Sequence, residues 1–286
     1  MTAGTVTALP VPPRVSALPI GGTCAPTFLR PRNQRYVSRA GVFYMAPATA
    51  EALTIAEVVW DERGILVIDG PCGTGKSIAV DTILHVAATD WGAAAVRLSL
   101  RPHRTEKAVT VAVAEALGVP IGGSQYEIER RVLARLAARP TVIAIDEAQE
   151  MSMYALEDQR HLWESDTSDL MLIVCGAGAD AVVNKYPALN SRRGGTAHFP
   201  LLSGPDLPTT LRATFPMFTT ATNDELHELD DVAIFGDWRK WRELVPWLTQ
   251  FGAGWSMPHG IAAASKVTGI DEVTLNARLA AHRRQK

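Results

Sequence analysis

Gly70-Pro-Cys-Gly-Thr-Gly-Lys-Ser77 fits the pattern G-x-x-x-x-G-K-[ST] at every fixed position. It follows Gly64-Ile-Leu-Val-Ile-Asp69, a short apolar run expected to form a strand covered on both faces. It opens a stretch from Lys76 to about Ala88 that reads as a helix. Strand, glycine-rich loop and helix in that order are the setting in which this pattern cradles phosphate. The glycines let the backbone wrap an anion with several N–H groups pointing inward. The helix start adds partial positive charge. Gly70, Pro71, Cys72, Gly73, Thr74, Gly75, Lys76 and Ser77 are therefore the candidate phosphate cradle. Lys76 is expected to reach the β and γ phosphates of ATP, and Ser77 to place its hydroxyl on Mg²⁺.

A second element lies downstream. Val142-Ile-Ala-Ile-Asp-Glu147 is a buried-strand run that ends in two acids. Asp146, at the strand's carboxyl end, can join the Mg²⁺ shell, and Glu147 can polarise a water for attack on the γ phosphate. Outward from these two motifs, residues 46 to 202 alternate helix and strand signals. Strands are expected at Ala93–Leu100, Leu170–Cys175 and Thr196–Leu201, and helices at Ala46–Trp60, Lys107–Leu117, Glu127–Ala138 and Tyr154–Glu164. That alternation implies an α/β fold, a parallel sheet flanked by helices on both faces. Residues 203 to 286 read instead as short helices separated by Pro and Gly, a small helical domain. Trp238, Trp241 and Trp247 fall there at helical spacing and are expected to pack its core. Residues 1 to 45 are Pro-rich, lack Asp and Glu, and carry five arginines, which makes them a basic arm.

Composition sets the outer bounds. With 286 residues, 47% hydrophobic and 20% charged, the chain is an ordinary globular one and not a disordered or fibrous one. A net charge of −2 excludes a uniformly basic nucleic-acid binder but leaves room for a local basic face. The three cysteines stand far apart, without zinc-ligand spacing. No apolar run reaches the roughly 18 residues of a membrane helix, and the start does not read as a signal peptide. A cytoplasmic setting is the expectation.

The two motifs together resemble the AAA+ superfamily of P-loop NTPases. The resemblance implies an ATPase with a helical lid, working as a homo-oligomer. It further implies that Arg192 or Arg193, in Asn190-Ser-Arg-Arg-Gly194, reaches into a neighbour's nucleotide site. Gly236-Asp-Trp-Arg239 resembles the start of the lid helix, whose arginine senses the γ phosphate; Arg239 takes that role, with Arg242 one turn on as competitor. One departure is visible. The family has a polar residue near the end of its fourth strand, in contact with the attacking water. Here the strand ends Val174-Cys-Gly-Ala-Gly178, which implies slow, switch-like hydrolysis.

Ile145-Asp-Glu-Ala-Gln149 followed by a helix resembles the transposon-associated ATPases of the TniB, TnsC and Mu B type, and also secretion ATPases of the ExeA type. The first group implies subunits that assemble on duplex DNA with ATP as a ring or helical filament, recruit a transposase and leave on hydrolysis. The DNA-facing candidate is the basic stretch after the second strand, with Arg97, Arg101, Arg104, Thr105 and Lys107 reaching phosphates. Arg278, Arg283, Arg284 and Lys286 form a weaker second candidate. The runner-up is a helicase loader or secretion-type ATPase acting on a protein. A small-molecule kinase is disfavoured by the Asp146-Glu147 pair and the separate lid.

Overall fold

The computed structural model describes residues 23–24, 43–99, 106–150, 169–252 and 254–285. The expected helix Tyr154–Glu164 and most of the N-terminal arm lie outside these residues. From the arm, the two-residue strands β1 (Thr23–Cys24) and β2 (Phe43–Tyr44) pair antiparallel. There follow α1 (Pro47–Glu62), β3 (Ile65–Asp69), α2 (Lys76–Thr89), β4 (Ala94–Ser99), α3 (Glu106–Ala116) and α4 (Gln125–Ala138). Next come β5 (Thr141–Asp146), β6 (Leu170–Gly176), α5 (Ala179–Asn184), α6 (Pro187–Ser191) and β7 (Arg193–His198).

Five strands form one parallel sheet in the order β4-β5-β6-β3-β7. Side chains alternate along each strand, so each apolar run feeds two cores. Val67, Ile143, Ile145, Leu172 and Val174 pack under α3 to α6, against Val113, Ile128, Leu136 and Val183. Leu66, Ile68, Ala144, Met171 and Ile173 pack under α1 and α2, against Ala56, Val59, Val80 and Ile83. Burying each large side chain of this kind contributes about 1.5–3 kcal/mol. This is why β3, β5 and β6 read as unbroken apolar runs. Register then aligns the strand ends, with Asp146 opposite Cys175 and Asp69 opposite Gly176. Ligands of such sheets bind at that carboxyl edge.

The last strand starts three residues earlier than its sequence signal, at Arg193 in place of Thr196. Gly194 and Gly195 carry no strand signal, yet they lie inside β7, where α1 presses directly on the sheet. A Cβ on Gly195 would stand 2.3 Å from Ile55 Cγ2. Helices α5 and α6 have six and five residues, too short to show a helical period in sequence.

Beyond β7 a third core forms from α7 (Asp206–Thr214), α8 (Asn223–Leu229), α9 (Trp238–Phe251), α10 (Met257–Thr268) and α11 (Glu272–Gln285). Leu211, Phe218, Leu226, Trp241, Leu244 and Ile261 are fully buried within it. Phe199 still belongs to the sheet core, and Leu202 packs on the helical one. Thr222 and Glu225 form a capping box at α8, and Asp237 caps α9 through the N–H groups of Arg239 and Lys240. Between these helices a π-helical turn, Asp230–Ile234, buries Asp230, whose Oδ1 accepts from Gly236 N and Trp241 Nε1. Burial pushes that carboxyl above its ordinary value, against the pull of these two donors. Trp238 and Trp241 are buried as expected; Trp247 differs, at 37% exposure. No helix among the described residues is long and apolar enough to cross a membrane.

Candidate nucleotide site

The phosphate loop leaves the carboxyl end of β3 and runs straight into α2, whose N-cap is Gly75. No side chain caps this helix start and no acid sits in its first turn. Its first N–H groups are thus left for an external anion. Lys76, only 8% exposed, donates from Nζ to the carbonyls of Gly70 and Pro71, each at 2.6 Å. Thr74 Oγ1 donates to Pro71 at 3.0 Å and braces the turn. The start of α9 docks onto this loop. Arg239 N donates to Gly73 O at 3.2 Å, and a Cβ on residue 73 would lie 2.2 Å from Asp237 Oδ1. Gly73 is therefore needed for the close approach of the loop and α9.

Across the cleft stand Asp146 and Glu147. Cys72 to Ser77, Asp146, Glu147, Trp238 and Arg239 line one pocket. Glu147 is exposed and holds a left-handed backbone, φ 57°. A glutamate rarely adopts this conformation, and the cost is of order 1–3 kcal/mol. The turn is held by Glu147 N donating to Asp146 Oδ1 at 3.1 Å. Ser77 and Asp146 bring two hard oxygen donors to the same pocket. No cluster of three His, Cys, Asp or Glu able to hold a metal exists among the described residues. Two protein oxygens, with phosphates and water completing an octahedron, are what Mg²⁺ prefers, so this donor set fits it.

Arg97 corrects the sequence reading. It was expected on a DNA-facing surface, but its side chain is 7% exposed and lies beneath the site. In β4 it stands opposite Ala144, on the sheet face covered by α2. There Nη1 donates to Asp81 Oδ1 at 2.7 Å and Nη2 to Asp146 Oδ2. Burial alone would lower its pKa, but the Asp146 and Asp81 carboxylates outweigh it and raise it, so the guanidinium stays charged. Cys175, across from Asp146 in β6, is its other neighbour. Burial, with the Asp146 charge and a hydrogen bond to it, pushes this thiol well above its ordinary value and keeps it neutral. Removing a guanidinium that pairs two buried carboxylates leaves them uncompensated. Arg97→Ala should thus lose about 3–5 kcal/mol of folding stability. Lys107→Ala, on an exposed turn of α3, should shift it by less than about 0.5 kcal/mol. Urea unfolding measures both; equal stabilities would contradict the buried cluster.

The remaining candidates separate by geometry. Arg193 is tied within its own chain, with Nη1 on Asp180 Oδ1 at 2.6 Å and Nη2 on Asn184 Oδ1 at 2.9 Å. In this chain Arg193 is thus turned onto α5. Arg192 is exposed at the end of α6. Arg239 is exposed in the pocket beside the loop; Arg242 is not among that pocket's residues. Arg101, Arg104 and Thr105 lie outside the described residues. Of the C-terminal arginines, Arg278 bonds Val232 O and Arg283 bonds Glu228.

Sequence reasoning missed a second, mostly apolar cleft beside the loop. It lies between the start of α1 at Pro47, the loop at Gly75 and α7 at Thr210, with Trp238 as a shared wall. Thr210 Oγ1 is buried there without a hydrogen-bond partner. A flat apolar group carrying polar edges, attached to the phosphates, suits such a cleft. Its walls come from segments far apart in the chain, so no local pattern announced it.

Residues 60–180 match the family model described as an AAA domain. No curated protein matches the chain significantly. Among solved structures, Cdc6p of Pyrobaculum aerophilum aligns over 88% of this chain and 74% of its own, at 16% identity and TM-score 0.63. An Orc1 protein of Aeropyrum pernix, solved in complex with DNA, aligns over 87% and 71%, at 17% identity and TM-score 0.57. The Walker-type ATPase PABY2304 of Pyrococcus abyssi aligns over 90% and 79%, at 15% identity and TM-score 0.58. At these identities the likeness is one of fold, that of an α/β P-loop NTPase. The matches reach an AAA domain and no narrower group.

Proposed function

We propose that this chain, which carries an AAA domain on a P-loop α/β fold, is an ATPase that assembles on duplex DNA in its ATP state. The convergence of Lys76, Ser77, Asp146, Glu147 and Arg239 on one pocket carries the ATPase half of this reading, and the basic stretch after β4 supports the DNA half. The lysine exchanges its two loop carbonyls for phosphate oxygens, and the start of α2 receives the same charge. Ser77 and Asp146 hold Mg²⁺, which when bound neutralises charge on the phosphates. Glu147 takes a proton from the attacking water. Arg239, fixed to the loop through its own backbone, senses the γ phosphate from the lid. The adenine fits the apolar cleft, where Thr210 Oγ1 offers a hydrogen bond. In this reading residues 46–202 bind nucleotide, residues 203–286 are the lid, and residues 1–45 form a basic arm. Arg192 is the arginine assigned to a neighbour's site.

The finer role is regulation of DNA transposition. Its support is the Asp146-Glu-Ala-Gln149 motif and the basic stretch Arg101, Arg104, Thr105 and Lys107 after β4. A transposase is the proposed partner, and hydrolysis ends the assembly. With a net charge of −2, one subunit binds a duplex weakly. Assembly aligns many copies of the stretch along the phosphates and multiplies modest affinities. Binding should need ATP, ignore sequence and fall steeply with salt. Substituting Arg101, Arg104 and Lys107 together by alanine should weaken binding equally on unrelated duplexes and leave ATP binding intact. Fluorescence anisotropy over a salt series measures this. Wild-type affinity and salt slope in that variant would move the DNA surface elsewhere, and no DNA binding by the wild type would favour a protein target.

A further inference from the structure

β6 ends at Gly176, which has no side chain to fill the space at the sheet edge. That space is taken by Gln149, from the 3₁₀ turn Ala148–Glu150 that follows β5. A Cβ built on Gly176 would lie 2.1 Å from Gln149 Oε1 and 3.0 Å from Ala148 N. The glycine is what lets the amide lie there. From this seat Gln149 Nε2 donates to Glu147 Oε2 at 2.6 Å. Gln149 Oε1 is buried and has no hydrogen-bond partner. The amide is thus held by one polar bond, to the exposed carboxylate that faces the phosphate pocket. Glu147 itself sits on a left-handed turn, whose backbone is held by Glu147 N donating to Asp146 Oδ1 and Glu150 N donating to Glu147 O, while its carboxylate accepts from this amide.

We infer that Gln149 is the positioning residue for Glu147, and that Gly176 exists to seat it. The inference rests on the ATPase reading above. A carboxylate on a flexible stem, exposed to water, samples many orientations, and only a few aim it at the attacking water. A donated hydrogen bond on one oxygen leaves the other oriented for the proton. Loss of that bond should lower the chance of a productive encounter without touching the groups that bind nucleotide. The effect is expected in kcat and not in KM.

Phosphate release, nucleotide affinity by calorimetry and melting temperature should be measured for wild type, Gln149→Ala, Gln149→Glu and Gly176→Ala, and for the double alanine variant. In Gln149→Ala, kcat should fall about 10- to 100-fold, with KM and nucleotide affinity within about twofold of wild type. Gln149→Glu keeps the size and loses the donor, and should fall as far. Gly176→Ala should fall too, because its Cβ displaces the amide, and the double variant should be no worse than Gln149→Ala alone. Wild-type kcat in Gln149→Ala overturns the inference. So does full kcat in Gln149→Glu, which would make packing the role, or a loss confined to KM. If Gly176→Ala does not fold, the two Gln149 variants still decide. A wild type that releases no phosphate would instead remove the ATPase reading itself.

Discussion

Lys76→Ala loses ATP binding by about 100- to 1,000-fold. Hydrogen bonds to charged groups contribute about 1.5–3 kcal/mol each, and every 1.4 kcal/mol is a factor of about ten. The ammonium is placed to make more than one such bond to phosphate oxygens. Its present partners are the carbonyls of Gly70 and Pro71 at the edge of an open pocket. Water can replace the lysine there, so the variant should fold normally. Calorimetric titration with Mg·ATP is the measurement, and wild-type affinity would remove the assignment. The same variant tests the neighbour contact. Mixed with Arg192→Ala subunits, which keep Lys76, it should restore part of the phosphate release, because some mixed interfaces pair an intact pocket with an intact Arg192.

Glu147→Gln separates binding from chemistry. The amide has the shape of the carboxylate and can still accept from Gln149 Nε2. Lys76, Ser77 and Asp146 are untouched, so ATP affinity should stay near wild type. The amide cannot take a proton from water, however, and a positioned general base supplies about 10²- to 10⁴-fold in rate. Phosphate release should fall by that order, and ATP-dependent complexes on DNA should persist longer. Unchanged turnover would show that another group activates the water. Release without any acceptor also separates an ATPase from a kinase, which would stay silent.

The setting of Gly70–Ser77 between β3 and α2 was legible because its signal is local: one strand, eight residues and one helix start carry it. The place of Asp146 and Glu147 beside the loop was legible because a parallel sheet brings the carboxyl ends of its strands to one edge. What stayed hidden depends on partners far along the chain. Arg97 looked like part of a basic loop, since nothing local says that Asp81 and Asp146 wait 16 and 49 residues away on elements facing it. Two opposite charges in apolar elements, Asp81 in α2 and Arg97 in β4, were the available signal. The ion pair of Arg193 was hidden for the same reason, its partners Asp180 and Asn184 lying on a helix too short to see. Gln149 was visible in the motif, but Gly176 had to be read as space, not as a break. The last strand was shifted because Gly194 and Gly195 carry no strand signal and are there for the packing of α1.

The central claim is that nucleotide drives assembly of this chain on DNA. Electron microscopy of the protein on a long duplex, with and without a non-hydrolysable ATP analogue, tests it most directly. Rings or filaments on the duplex with the analogue, absent without it and absent in Lys76→Ala, are the predicted result. Identical images in all three samples would contradict the account.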